Sequence, residues 1–206
     1  MTTAHEDRLA VYRRRVLDAA ERELARSGYA GTRMGEVAAG ADLSLATVYK
    51  AYPGKAEIWD ALHEERMAAL LTQVEAATAT TSTSTTTSTH VGRLLDGVAA
   101  VAAFLMDRPD YLRLNLRAGT GWTESAGARG VQATVWTAGI DMLERGVAAA
   151  VAVGEVPEVR PRVAAGMLVS GLQVWLSDWV ESGFDRDVDV VVAEMREHLA
   201  RLLGAV

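Results

Sequence analysis

Cysteine is absent from the 206-residue chain, which excludes disulfides, thiolate nucleophiles and cysteine-held metals and suits a reducing compartment. Histidine is scarce. His5, His63, His90 and His198 show no metal-ligand spacing. The stretch His63-Glu64-Glu65-Arg66-Met67 starts like a zinc-protease helix, but Met67 stands where the second histidine is needed. Gly119-Thr120-Gly121 lacks the third glycine and the preceding strand of a dinucleotide loop, and no Gly-rich loop ending in Lys-Ser/Thr occurs. An enzyme, a resident metal and a cofactor are therefore not expected. The charged N-terminus MTTAHEDRLAVYRRRV has no apolar segment of the signal-peptide kind. The longest uncharged apolar stretches, 97–106 and 163–177, read as too short to span a bilayer. These absences predict a soluble cytoplasmic protein with no membrane partner.

What is present is helical periodicity. Half the residues are hydrophobic, which excludes a disordered chain. Val16, Ala20 and Leu24 make one stripe, in a helix ended by Gly28. Further stripes start at Ile58, Val91, Trp136 and Val188. Leu112, Leu114 and Leu116 alternate like a strand, but the segment is short and opens with Pro109-Asp110, so a short helix is predicted. Residues 78–89 are all Ser or Thr apart from Ala79 and read as a solvated connector. From Val163 to Leu176 the chain is apolar nearly all round, broken only by Gly166, Ser170, Gly171 and Gln173. Such a helix is either the centre of its own domain or packs one face against a second subunit; the second is preferred.

Charge and lysine usage single out the N-terminal quarter. Residues 1–55 hold nine Lys and Arg against seven Asp and Glu, while residues 56–206 hold twelve against twenty. The acidic body and the slightly basic start fit a nucleic-acid contact at that end. Of 21 basic residues only Lys50 and Lys55 are lysines, and both fall in one segment, TRMGEVAAGADLSLATVYKAYPGK, from Thr32 to Lys55. Thr32 is placed to cap a short helix whose Met34, Val37, Ala38 and Ala41 share a face. Ala41-Asp42-Leu43 breaks it, and Ser44 offers a fresh cap to a second helix, Leu45 to Ala51, with Val48 inward. Two short helices, about three residues apart and with small residues at their crossing, describe a helix-turn-helix.

Residues Arg14, Ala20, Gly28-Tyr29, Thr32, Val37-Ala38, Ala41, Leu43-Ser44, Thr47-Val48-Tyr49, Tyr52-Pro53, Lys55 and Ile58 resemble the N-terminal domain of TetR-family regulators over about residues 10–70. Asp42 and Ala46 stand where that family often has Gly, Gly54 where it has Ser, and Ala51 where it has His. The resemblance implies an all-α fold of about nine helices. A three-helix DNA-binding domain (10–70, motif about 33–52) would precede a helical effector-binding and dimerisation domain (71–206). It implies DNA contacts from Thr32, Arg33, Leu45, Ala46, Thr47, Tyr49, Lys50 and Lys55: Tyr49 to phosphate, Lys50 to a base edge or phosphate, Lys55 to phosphate at a helix start. Tyr52 is assigned to the core.

It further implies a homodimer that reads a palindromic operator in double-stranded DNA, usually as a repressor, and releases it on binding a small molecule. The two-sided helix 163–179 and the last helix, 187–203, suit a four-helix dimer interface, with Gly166, Ser170, Gly171, Trp175, Trp179, Val191, Met195 and Leu199 as candidates. Candidate pocket residues are Phe104, Met106, Tyr111, Leu114, Trp122, Trp136, Met142 and Gln173, a set that points to an apolar or aromatic effector. The sequence does not separate a repressor from an activator, and two other classes stay open: a helical ligand-binding protein that reads no DNA, and a helical-bundle enzyme.

Overall fold

The computed structural model describes residues 3–83, 89–117 and 130–204. Every regular element among the described residues is helical. In order they are α1 (Thr3–Gly31), α2 (Met34–Gly40), α3 (Leu45–Ala51), α4 (Lys55–Thr83), α5 (His90–Met106), α6 (Pro109–Arg117), α7 (Gly130–Ala152), α8 (Pro161–Glu181) and α9 (Val188–Leu202). The helix predicted after Pro109-Asp110 is present as α6. The chain divides into two compact units, Met1–Arg66 with Asp110–Gly119, and Met67–Pro109 with Thr120–Val206.

In the first unit α1, α2 and α3 pack pairwise on one another. Val16, Ala20 and Leu24 of α1, Val37 and Ala38 of α2 and Val48 of α3 are buried, as are Ile58 and Leu62 at the start of α4. Gly28 holds a left-handed φ of 69°, which kinks α1 and lets one further turn run to Gly31. Polar groups are sunk into this core as well, among them the Arg66–Glu21 pair and His63. Arg66 donates through Nε to Glu21 Oε2 at 3.0 Å, and its Nη2 bonds the same oxygen. His63, 4% exposed, donates from Nδ1 to the carbonyl of Trp59 at 2.9 Å, since a carbonyl can only accept. Its ring stands between those of Trp59 (4.2 Å) and Tyr111 of α6 (5.6 Å). Burial lowers the pKa of His63, opposed by the Trp59 bond and by Asp60.

The second unit is a bundle in which α5 packs on α7, α8 and α9, and α8 on α7 and α9. Small residues set the closest crossings. A side chain at Gly146 would collide with Leu94, and one at Gly171 would stand 2.7 Å from Leu199 Cδ2. Thr89 caps α5, its Oγ1 accepting from the N–H of Gly92 at 2.9 Å.

Three expectations need correction. The Ser/Thr run is not a connector throughout, because α4 continues to Thr83. Thr78 Oγ1 bonds back to the carbonyl of Val74 at 2.9 Å, an arrangement that keeps a hydroxylated β-branched residue compatible with helix. Residues 84–88 of the run lie outside the described ones. By length and composition α8 is apolar enough to cross a membrane, contrary to the reading of 163–177. Its Ala165, Leu168, Leu172 and Leu176 are buried among the neighbouring helices of the unit. Lastly, Gly171, Trp179, Val191, Met195 and Leu199 serve the chain's own core. Val191, Met195 and Leu199 are buried under α5 and α8, Gly171 abuts Leu199, and Trp179 donates from Nε1 to the carbonyl of Arg186 at 2.9 Å.

Two outcomes are expected from the buried polar groups. Arg66→Met leaves Glu21 buried without its cation and lowers unfolding stability by about 3–5 kcal/mol, whereas Arg66→Met with Glu21→Leu recovers most of the loss in a urea titration. The folded pKa of His63 lies below the unfolded value of about 6.5, so the unfolded chain takes up the proton first. The contribution of neutral His63 is then complete above about pH 6.5 and is lost as pH falls below it. Urea midpoints measured from neutral into mildly acidic buffer should decline in the wild type and flatten in His63→Asn.

Candidate nucleic-acid interface and ligand cavity

α3 has seven residues and buries only Val48 and Ala51. Its boundaries come from local chemistry. Asp42 takes the left-handed conformation of the turn (φ 52°), which aspartate tolerates better than most residues with a Cβ. Ser44 then caps the helix: its Oγ accepts from the N–H of Thr47 at 3.1 Å and lies 2.8 Å from Thr47 Oγ1. The remaining surface of α3 faces solvent. Leu45 is 46% and Tyr49 47% exposed, Ala46 and Lys50 are exposed, and Thr47 is half-buried. A Leu and a Tyr left nearly half exposed on so short a helix present apolar and aromatic surface to solvent.

Arginines of α1 hold this helix and its turn in place, a role that sequence reasoning missed. Arg15 donates from Nη2 to the backbone carbonyl of Asp42 (3.0 Å) and to its carboxylate (3.1 Å). Arg22 donates to the carbonyl of Gly40 at the end of α2 (3.2 Å), and Arg13 reaches the carbonyl of Ala51 at the end of α3 (3.4 Å). Helix C-terminal carbonyls lack intrahelical donors and carry partial negative charge, so cations satisfy them well. The one signal in the sequence is Arg13-Arg14-Arg15 beside an apolar stripe.

The predicted DNA-contacting residues are thus not equivalent. Arg33, which occupies the N-cap position of α2 without a side-chain capping bond, is exposed. Arg8, Arg33 and Lys50 carry no hydrogen bond or ion pair among the described residues, and Arg8 was not foreseen. Thr32 is buried and donates to the carbonyl of Gly28 at 2.8 Å, so it neither caps α2 nor presents its hydroxyl outward. Lys55 bonds the carbonyls of Tyr29 and Thr32 (3.2 Å to the latter), with its ammonium 4.5 Å from the Tyr29 ring centroid. A lysine so engaged is part of the scaffold, and a phosphate would have to compete for it. Tyr52 is half-buried under Arg13 rather than fully in the core.

The second unit contains a cavity of about 230 Å³. Its walls come from α4 (Leu70, Leu71, Val74, Glu75, Thr78), α5 (Gly97, Val98, Val101), α7 (Val135, Trp136, Ala138, Gly139, Ile140, Met142, Leu143) and α8 (Leu168, Val169, Leu172). Trp136 and Met142 are the two foreseen pocket residues found on it. The others are elsewhere. Phe104 and Met106 are closed into the α5 core, and Tyr111 and Leu114 of α6 are buried in the first unit. Gln173 lies with Ser170 and Val174 on the outer side of α8. Trp122 falls outside the described residues. Aromatic and sulfur-bearing residues look alike in sequence whether they fill a core or line a hole, and only helix packing separates the two.

Residues 16–62 match the family model described as bacterial regulatory proteins, tetR family. No curated protein matches the chain. Among solved structures, a tetR-family regulatory protein from Rhodococcus is 23% identical, with 95% of this chain and 98% of that one covered and a TM-score of 0.74. AibR, solved with isovaleryl coenzyme A and operator DNA, is 20% identical over 95% of this chain and 100% of its own, with a TM-score of 0.72. FadR from Bacillus subtilis, solved with stearoyl-CoA, is 16% identical over 93% and 98%, with a TM-score of 0.69. The chain therefore carries the N-terminal domain of tetR-family bacterial regulatory proteins and, over nearly its whole length, the fold of TetR-family regulators.

Proposed function

We propose that the protein is a cytoplasmic transcriptional repressor that binds a palindromic operator as a homodimer and lets go of it when an apolar small molecule occupies the cavity. The observation that carries this reading is α3. It is a capped, braced helix whose Leu45, Tyr49 and Lys50 are exposed, with the half-buried Thr47 beside them, a surface that suits a major groove. Base preference is assigned to Leu45, Ala46 and Thr47, and phosphate contact to Tyr49, Lys50, Arg33 and Arg8. Lys55 is assigned to holding the end of α1 against the start of α4. The domain division proposed is a DNA-binding part over about 10–70 and an effector and dimer part beyond it.

Pairing between subunits is assigned to the outer face of α8, where Val163, Met167 and Val174 are exposed beside Ser170 and the open face of Gly166. Trp175, half-buried with its ring 5.4 Å from that of His198, edges this face. An isologous dimer built on it would present two recognition helices related by a twofold axis, which is what an inverted repeat requires. The ligand complexes of AibR and FadR support effector binding in this fold.

Selection of random and genomic DNA on the purified protein tests the reading. The wild type should enrich an inverted repeat that Thr47→Ala/Lys50→Ala does not. Enrichment of no sequence, with or without bound ligand, would identify instead a helical ligand-binding protein that reads no DNA. On the selected site, Lys50→Gln or Arg33→Gln should each reduce the slope of log affinity against log salt by about 0.9 for every phosphate no longer neutralised. Lys55→Gln should leave that slope nearly unchanged and instead lower unfolding stability by about 1 kcal/mol, because its bonds to Tyr29 and Thr32 are gone. The opposite pattern would return Lys55 to the DNA.

A further inference from the structure

The walls of the cavity are apolar with one charged exception. Among its eighteen lining residues Glu75 alone is ionisable, and no lining residue is basic. The Glu75 side chain makes no hydrogen bond or ion pair among the described residues, and it remains exposed at the cavity's edge. One turn along α4, Thr78 turns its hydroxyl back to the carbonyls of Val74 and Glu75 (2.9 and 3.2 Å), so its O–H is already engaged within the helix. Trp136 adds an indole ring, the side chain whose face best attracts a cation. At about 230 Å³ the space is smaller than the roughly 300–1,000 Å³ usual for drug-sized ligands.

We infer that this cavity takes a compact apolar molecule carrying a single positive charge, an aryl- or alkyl-ammonium, and discriminates against carboxylates and coenzyme A thioesters. The inference rests on the proposed effector role of the cavity and specifies its ligand. The apolar body replaces water against Val98, Ile140 and Leu168, while the ammonium stays near the mouth, where Glu75 offers an unpaired carboxylate. An anion at the same place meets like charge with no lining cation to compensate. A coenzyme A carries several phosphate charges, which proteins hold with arginine or lysine, and the described walls supply neither. AibR and FadR were solved with coenzyme A thioesters, a class of ligand that the described walls of this cavity do not suit.

The test is calorimetric titration of the full-length protein with 4-phenylbutylamine, 4-phenylbutanol, 4-phenylbutyrate and butyryl-CoA, on the wild type and on Glu75→Gln. Because Glu75 is exposed and unpaired, this substitution leaves the fold intact, which a melting curve verifies. The amine should bind about tenfold tighter than the carboxylate of the same shape, the sum of an attraction gained and a repulsion avoided. In Glu75→Gln the amine should weaken by about fivefold, to the level of the alcohol, while the alcohol is unaffected. Equal binding of amine and carboxylate, tighter binding of butyryl-CoA, an amine preference that survives Glu75→Gln, or no binding of any probe would each overturn the inference. The titrations contain no DNA and so are independent of operator binding. Amine that binds yet leaves the operator occupied would refute the effector reading and spare the ligand class. Operator released by butyryl-CoA and not by the amine would do the reverse.

Discussion

A seven-residue helix is not stable by itself in water, because its few hydrogen bonds cannot offset the cost of nucleation. α3 is such a helix, and it also has to show solvent most of the surface that could have anchored it. The first unit is organised around this constraint. Two small contacts, Val48 and Ala51, bury what α3 can spare. The rest comes from its ends: Ser44 at the front, the left-handed Asp42 turn before it, and Arg13 at the final carbonyl. Arg15 ties the turn to α1 from the side. The result is a largely exposed helix fixed in orientation with only two small apolar contacts, Val48 and Ala51, behind it.

The same bonds change what the basic residues of the N-terminal quarter mean. Their positive balance invites a reading as an electrostatic footprint, yet Arg13, Arg15, Arg22 and Lys55 are directed at backbone carbonyls, and Arg14 and Arg26 at carboxylates. Cations at helix ends are favoured by the unsatisfied carbonyls there whether or not DNA is near. Much of the charge balance is therefore accounted for by bonds within the fold. The basic residues of this quarter left exposed without a hydrogen bond or ion pair among the described residues are Arg8, Arg33 and Lys50, and only the last two were visible as candidates from their places in the motif.

Legibility in the sequence followed the range of the interactions. Ser44, Asp42, Pro109 and the apolar stripes act on neighbours a few residues away, and the helices they predict are where they were expected. The Ser/Thr run misled because the poor propensity of Thr78 is outweighed once the preceding turns of α4 are formed and its hydroxyl can bond back. Interface and cavity depend on how helices cross, and that is set by pairs such as Gly171 of α8 with Leu199 of α9, far apart along the chain. A glycine at a crossing reads the same whether the partner is the chain itself or another copy. Hence Val191, Met195 and Leu199 looked like an interface and are core, while Met167 and Val174, each one residue away from an expected position, hold the exposed stripe.

The second unit shows the converse of the α3 problem. Its helices are long enough to be stable through packing alone, and its interior could have closed completely. A cavity persists where α4, α5, α7 and α8 converge because small residues, Gly97, Ala138 and Gly139, stand among the lining side chains. Larger apolar side chains at these positions would fill part of that space, and buried apolar volume generally stabilises. A void kept open against that gain, with a lone acid at its edge, is better understood as room for a molecule than as imperfect packing. The burden of recognition then falls on shape for the apolar part and on a single charge for the rest. At about tenfold, the exposed charge of Glu75 separates ligands by sign about as well as one methylene in the apolar part separates them by size, so neither feature selects the ligand alone.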